Sequence, residues 1–138
     1  RWSGGLVGVA GVRWFAVRPL RIREKEIMIT CTLTYEIDPN QVAAFEAYAK
    51  VWIGLVNQMG GTHHGYWLPS EGANDVAYAM FSYPSLAAYE AYRAASMQDE
   101  ECQKAFAFAQ KTGCIRRYDR TFTRPVLDAA PVEALDAF

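Results

Sequence analysis

The chain of 138 residues is 51% hydrophobic and 14% aromatic, which fits one globular domain with a sizeable core and excludes a largely disordered protein. No apolar run approaches the ~20 residues that span a bilayer, so no membrane partner is expected. Residues 1–27 hold 6 of the 14 basic and 2 of the 15 acidic residues, which leaves 8 basic and 13 acidic residues from Met28 onward, and this acidic body argues against nucleic-acid binding.

The first 27 residues fit neither a secretory signal nor a transit peptide. Two arginines interrupt their apolar stretch, and Glu24 and Glu26 break the acid-poor pattern of a transit sequence. Residues 23–26 can be encoded by purines alone, as a translated ribosome-binding site would be, and Met28 follows at a suitable distance. We therefore expect the natural chain to start at Met28, with residues 1–27 a non-native or disordered N-terminal extension.

The segment Met28–Ile37 alternates apolar and polar side chains with period two, which predicts a β-strand. A helix is predicted next, with Asp38 as its cap and Pro39 at its first position. The helix ends at Gly60-Gly61. Its aromatic stripe, which includes Trp52, is expected to face the core, because such stripes at helical spacing are nearly always core.

Two further strands, Thr62–Leu68 and Asp75–Ser82, are predicted to form a hairpin around a loop of Pro, Ser, Gly and Asn. A second helix follows this hairpin. Ser96 is expected to cap a third helix, whose first turn is acidic and which ends at Gly113.

The last predicted strand, Cys114–Thr123, completes the order β-α-β-β-α-β. Because crossover connections are right-handed, the helices cover one face of a four-stranded antiparallel sheet, which is an α+β ferredoxin-like fold. The opposite face carries Val76, Tyr78 and Met80 and is too apolar for water. We expect this face to pack on that of a second copy, so that the protein is a homodimeric α/β barrel.

The three cysteines are odd in number and show no C-x-x-C spacing. This usage is typical of reduced, buried thiols and predicts a cytoplasmic protein.

The segment from Gly60 to Arg93, with the sequence GGTHHGYWLPSEGANDVAYAMFSYPSLAAYEAYR, resembles the NIPSNAP family. The resemblance covers about residues 28–126, which we predict to be a single domain, and leaves residues 127–138 as a loosely ordered tail. It implies a dimeric α/β barrel. Many members begin with a Tyr-Glu-x-Arg type strand, whereas this chain has Thr30–Leu33 in that region and lacks those charged groups.

The candidate site residues lie mainly on the hairpin. Neighbouring strand residues point to opposite faces, so His63 and His64 are not expected to chelate one metal, and we predict neither a metal site nor a cofactor. One strand parity groups Thr30, Thr32, Thr34, His64, Tyr66, Tyr78, Arg117 and Asp119. The opposite parity groups His63 and Trp67 with Leu33, Tyr35 and Phe81 under the helices. The predicted ligand-binding residues are His63, His64, Tyr66, Trp67, Tyr78 and Arg117, because they combine apolar area with hydrogen-bonding ends.

Two functions remain open from the sequence. The first is a small NIPSNAP-like protein without a defined reaction that binds an apolar or aromatic ligand in a sheet-lined pocket. The alternative is an enzyme of the dimeric α/β barrel type, either a cofactor-independent monooxygenase or a haem-binding or haem-degrading protein. Kinship of fold does not choose between them.

Overall fold

The computed structural model describes residues 27–138, so the expectation for the N-terminal extension falls, apart from Ile27, outside the described chain. Residues 27–138 form four strands and three α-helices. In chain order these are β1 (Ile29–Ile37), α1 (Val42–Gln58), β2 (Thr62–Trp67), β3 (Val76–Tyr83), α2 (Leu86–Ser96), α3 (Glu100–Thr112) and β4 (Ile115–Thr123). Short 3₁₀ turns at Pro39–Gln41 and Val132–Ala137 complete the described chain.

The four strands form one antiparallel sheet in the order β2-β3-β1-β4. This order places the first strand at the centre, beside the third and the last, and confirms the predicted α+β ferredoxin-like architecture. The helices cover a single face of the sheet. The apolar side chains of β1 point under them, and Cys31, Leu33, Tyr35 and Ile37 are all buried.

The ends of the helices follow local chemistry. The carboxylate of Asp38 accepts a hydrogen bond from the Asn40 N–H at 2.9 Å and so caps the 3₁₀ turn before α1. At α3 the prediction for Ser96 is wrong, because Asp99 is the cap and accepts from the Cys102 N–H at 2.9 Å. Ser96 instead lies at the buried end of α2, where its hydroxyl donates to the Arg93 carbonyl at 2.8 Å.

The core joins the covered sheet face to α1 and α3. Phe45, Val56 and Ile37 are fully buried within it. Trp52 lies deep in the same layer, as its place in the helical stripe predicted. No helix within residues 27–138 is both long and apolar enough to cross a membrane. Beyond β4 no side chain of residues 127–138 is buried, and the loose order expected for this tail stays a prediction.

Candidate functional site

One extra residue in β2 decides where the hairpin side chains point. His63 lies opposite Phe81, while Gly65 lies opposite Met80, so His64 is inserted as a β-bulge. Gly65 takes a φ of +126°, a conformation that glycine adopts without the steric cost of a Cβ. From Gly65 onward, the side chains of β2 therefore point to the face opposite to the one that simple alternation predicts.

Because of the bulge, His63 and Tyr66 share the helix-covered face, and their rings stack at 4.9 Å between centroids. His64 and Trp67 lie on the opposite, open face. Neither grouping predicted from strict alternation is therefore correct, since each histidine joins an aromatic residue that alternation assigned to the other face.

A cavity of about 660 Å³ lies between the covered sheet face and the helices. Its sheet wall is formed by strand residues from all four strands, namely Leu33, Tyr35, His63, Tyr66, Phe81, Tyr118 and Arg120. Its helix wall is formed mainly by α1 and α3, namely Tyr48, Trp52, Val56, Phe106 and Ala109. Exposed side chains such as Met97, Gln103 and Gln110 border it, so the cavity opens to solvent. Its volume lies in the range of ligand-binding clefts, roughly 300–1,000 Å³.

Two residues that line the cavity carry buried polar atoms without protein partners. Within residues 27–138, three buried side-chain polar atoms have no hydrogen bond, namely Trp52 Nε1, Arg120 Nε and the Tyr83 hydroxyl oxygen. Two of them, on Trp52 and Arg120, belong to residues that line the cavity. Both N–H groups have almost no solvent-accessible area, so they lie behind the cavity surface, and a bound molecule would supply their acceptor only after a shift of the side chain.

The tyrosines of the cavity remain neutral. Burial is the main cause that raises the pKa of Tyr35, Tyr48 and Tyr66 above the ordinary value of a phenol. The rings of Tyr35 and Tyr66 stack at 6.2 Å. At neutral pH these hydroxyls keep their protons and can donate hydrogen bonds, while the rings supply flat apolar walls.

His63 is the histidine of the cavity, and its pKa is lowered. Burial, with a smaller effect from His64, lowers the pKa of His63 from 6.5 to about 4, so the ring is neutral at pH 7. The Gly65 N–H donates to His63 Nδ1 at 2.9 Å. With Nδ1 accepting, the neutral ring carries its proton on Nε2 and acts there as a donor.

The open face carries three of the predicted site residues. Trp67 and Tyr78, with side chains 50% and 46% exposed, lie opposite each other on neighbouring strands. His64 Nε2 is 2.8 Å from the Ser82 hydroxyl, which lies 2.7 Å from the Thr30 hydroxyl. None of these five residues lines the cavity.

The remaining predicted residue, Arg117, borders the cavity at the β4 end. Its guanidinium group lies 2.9 Å from a carboxylate oxygen of Asp119, two residues along the same strand. The structure thus brings His63 and Tyr66 to the cavity on the covered face. Arg117 borders the cavity, although its register opposite Glu36 and its pairing with Asp119 place it on the open face, with His64, Trp67 and Tyr78.

Sequence reasoning missed Arg120, Arg93 and the partnerless Trp52 N–H. The alternation of β4 places Arg120 in register with Leu33 and on the same face as Tyr118, which is the helix-covered face. The available signal for Arg120 was a cationic residue at a strand position whose side chain points toward the core. Across residues 27–138 no three His, Cys, Asp or Glu side chains converge in the manner of a metal site.

The thiol of Cys31 also lies on the covered face. Burial raises the pKa of this thiol to about 11, against an opposing effect of Arg120. Because a thiol is nucleophilic only as its thiolate, Cys31 is a poor nucleophile at neutral pH.

Comparison with known proteins places this fold and sequence in context. The sequence profile of the NIPSNAP family matches residues 32–130. Curated proteins give no significant match. An uncharacterised NIPSNAP-like domain protein from Burkholderia xenovorans is similar in structure, with a TM-score of 0.63 and 19% identity over 77% of this chain and 91% of that one.

Two other solved structures share the fold. A NIPSNAP family protein of unknown function from Agrobacterium tumefaciens has a TM-score of 0.63 and 17% identity, over 73% of this chain and 90% of that one. A putative antibiotic biosynthesis monooxygenase from Chloroflexus aurantiacus has a TM-score of 0.51 and 16% identity, over 75% and 97%. At these identities the likeness is one of fold alone.

Proposed function

This chain belongs to the NIPSNAP family, and we propose that it is a small binding protein whose ligand, apolar or aromatic and flat, occupies the cavity between the sheet and the helices. The observation that carries the proposal is the cavity itself. It holds about 660 Å³ and has aromatic walls on both sides, and arginine side chains and the Nε2–H of His63 supply hydrogen-bond donors. Pockets of this kind, apolar with a few convergent polar groups, are the usual form of a small-molecule site.

The aromatic walls favour a planar ligand. Trp52 on α1 packs against Phe106 on α3 at 5.1 Å between ring centroids, and Tyr66 faces the same space from the sheet. Aromatic side chains on both walls offer a flat molecule a large apolar contact area.

Binding is better supported than catalysis. The enzymatic alternative requires a general base in the cavity, and His63 is the histidine found there. Its Nδ1 already accepts from the Gly65 N–H, so Nε2 carries the proton and offers no lone pair. The same argument opposes axial ligation of haem, because a ligating Nε2 requires the proton on Nδ1. Addition of haem is therefore expected to give no shifted Soret band.

The open face supports a homodimer. Trp67, Tyr78 and Met80 form a cluster of exposed large side chains on adjacent strands, in register with the threonines of β1. A second copy that presents the same face would bury these side chains and close two sheets into an α/β barrel. The three free cysteines are all buried and support a reducing location such as the cytoplasm.

A cavity-filling substitution tests the proposal. Ala109 lines the cavity from α3, whereas Ala107 on the same helix is exposed and does not. Binding of 2-naphthoate and of its neutral amide, 2-naphthamide, is measured by calorimetry in the parent and in Ala109→Phe and Ala107→Phe. We expect saturable one-to-one binding of at least one probe by the parent and by Ala107→Phe, and its loss in Ala109→Phe.

Two results would contradict the proposal. One is an absence of binding of both probes by the parent protein. The other is unchanged binding by an Ala109→Phe variant whose circular dichroism and melting temperature show that it folds, because the probe would then bind elsewhere.

A further inference from the structure

The cationic side chains of this domain are concentrated at the cavity. From Met28 onward the chain has 8 basic and 13 acidic residues. Four of those basic residues line the cavity, Arg93, Arg116, Arg117 and Arg120, and no Asp or Glu within residues 27–138 lines it. An acidic domain therefore encloses a cavity whose only formal charges are positive.

Two of the four arginines are neutralised by the protein. Arg117 pairs with Asp119 at 2.9 Å, and Arg116 approaches Asp38 at 3.5 Å. The Arg117–Asp119 pair is largely exposed, and in the other pair Arg116 is half-exposed while Asp38 is mostly shielded. Their charges are therefore already balanced and screened by solvent.

The other two arginines have no carboxylate within 4 Å among residues 27–138. Arg120 is half-buried on the covered face of β4, its Nε has no hydrogen-bond partner, and its guanidinium lies 5.5 Å from the centre of the Tyr118 ring. Arg93 on α2 lines the same cavity. A cation removed from water without a counter-charge is costly, and an anion between the two would offset that cost.

The hydrogen-bonding groups of the cavity also suit an anion. The guanidinium groups and the Nε2–H of His63 act only as donors, and the phenol hydroxyls can donate as well as accept. A carboxylate or ionised hydroxyl accepts hydrogen bonds only, so it complements such a set, and arginine holds it through two parallel bonds.

We propose that the ligand of this cavity is a planar organic anion, such as an aromatic carboxylate, whose charged group binds Arg120 with support from Arg93. This inference rests on the proposed function and adds the charge of the ligand to it. The flat apolar body of the ligand lies between Tyr66 and Trp52, and its anionic end points toward β4 and α2.

The test compares 2-naphthoate with 2-naphthamide, two probes of nearly the same shape that differ in charge. We expect the parent to bind naphthoate at least ~10-fold more tightly than the amide, because hydrogen bonds to charged groups are among the strong ones. Arg120→Gln is expected to remove most of that preference while its affinity for the amide stays the same. Arg124→Gln, which removes a cation that does not line the cavity, is the matched control and is expected to keep the preference.

The possible outcomes separate the two claims. Equal binding of both probes by the parent overturns the assignment of an anion and leaves the cavity as a binding site. A preference for naphthoate that survives in both Arg120→Gln and Arg93→Gln overturns the role of these arginines. Failure of both probes to bind the parent overturns the proposed function and this inference with it. Retained binding of the amide by Arg120→Gln shows that the variant is folded.

Discussion

His63 and His64 are adjacent in sequence, yet their surroundings differ completely. The bulge turns His63 under the helices, where its ring stacks on Tyr66 and lies 5.6 Å from the centre of Phe81. His64 stays on the open face and contacts Ser82. Burial disfavours the charged form of His63 and so lowers its pKa.

The stability of the protein is predicted to fall in mild acid because of His63. The folded-state pKa of about 4 lies below the ordinary value of 6.5, so the unfolded chain binds more protons between these two values. The contribution of a neutral His63 is complete above about pH 6.5 and is lost as the pH falls toward 4. Melting temperatures measured from pH 7 to pH 4 are expected to fall less in His63→Gln than in the parent.

His64→Gln is the control for this experiment. It removes the neighbouring histidine, which has the smaller effect on the pKa of His63, so its dependence on pH is expected to stay closer to that of the parent than to that of His63→Gln. A His63→Gln variant with the same pH profile as the parent would show that His63 does not carry this dependence. Carboxyl groups that titrate in this range affect all three proteins alike and cancel in the comparison.

Among the elements, β2 has the greatest influence on the site, because its single bulge decides which side chains reach the cavity. The bulge requires the positive φ of Gly65. The strand order, the helices and the covered face do not depend on it. A change at this one residue is therefore expected to affect the hairpin without changing the fold.

A pair of glycine substitutions tests the bulge. Gly65→Ala is expected to destabilise the protein by about 1–2 kcal/mol, because a side chain at this φ is strained. Gly54→Ala lies inside α1, where an added Cβ meets no atom within 4 Å, and is expected to stabilise the protein by about 0.5–1 kcal/mol. Urea unfolding measures both free energies. Equal effects of the two substitutions would contradict a special backbone conformation at Gly65.

Most elements were predictable because their signals are local. The alternation of β1 predicted its buried face, and Gly113 predicted the end of α3, where it adopts a φ of +63°. The bulge was not predictable from alternation, because an inserted residue is visible only in the register with Phe81 and Met80. The cap of α3 was misread because both Ser96 and Asp99 favour N-cap positions, and only burial of the first distinguishes them.

For the whole molecule, the covered and open faces of the sheet have different roles. The covered face forms the core and the cavity, whereas the open face leaves a large aromatic cluster in contact with water. The sequence indicated an apolar open face through Val76, Tyr78 and Met80. It predicted a sheet-lined pocket but left open which face bears it, because Tyr35, Trp52 and Arg120 come together only when β1, α1 and β4 are packed.

Dimerisation through the open face is predicted for this protein. Sedimentation velocity at micromolar concentration is expected to show a dimer. We expect its interface to bury about 2,000 Å² or more, which is the size of an obligate interface. Tyr78→Arg is expected to give a monomer, because it places a charge in the centre of the face. Leu86→Arg, an equivalent change at an exposed residue of α2, is expected to leave the dimer intact.

Sedimentation of the parent protein as a stable monomer under the same conditions would disprove this dimer. A dimer that persisted in Tyr78→Arg and dissociated in Leu86→Arg would instead place the interface on the helices.

The measurement that tests the central claim most directly is a crystal structure of the protein bound to 2-naphthoate. We expect the ring system of 2-naphthoate to lie between Tyr66 and Trp52, with its carboxylate within hydrogen-bond distance of Arg120. A probe bound on the open face, or a crystal grown at saturating probe in which the cavity remains empty, would contradict it.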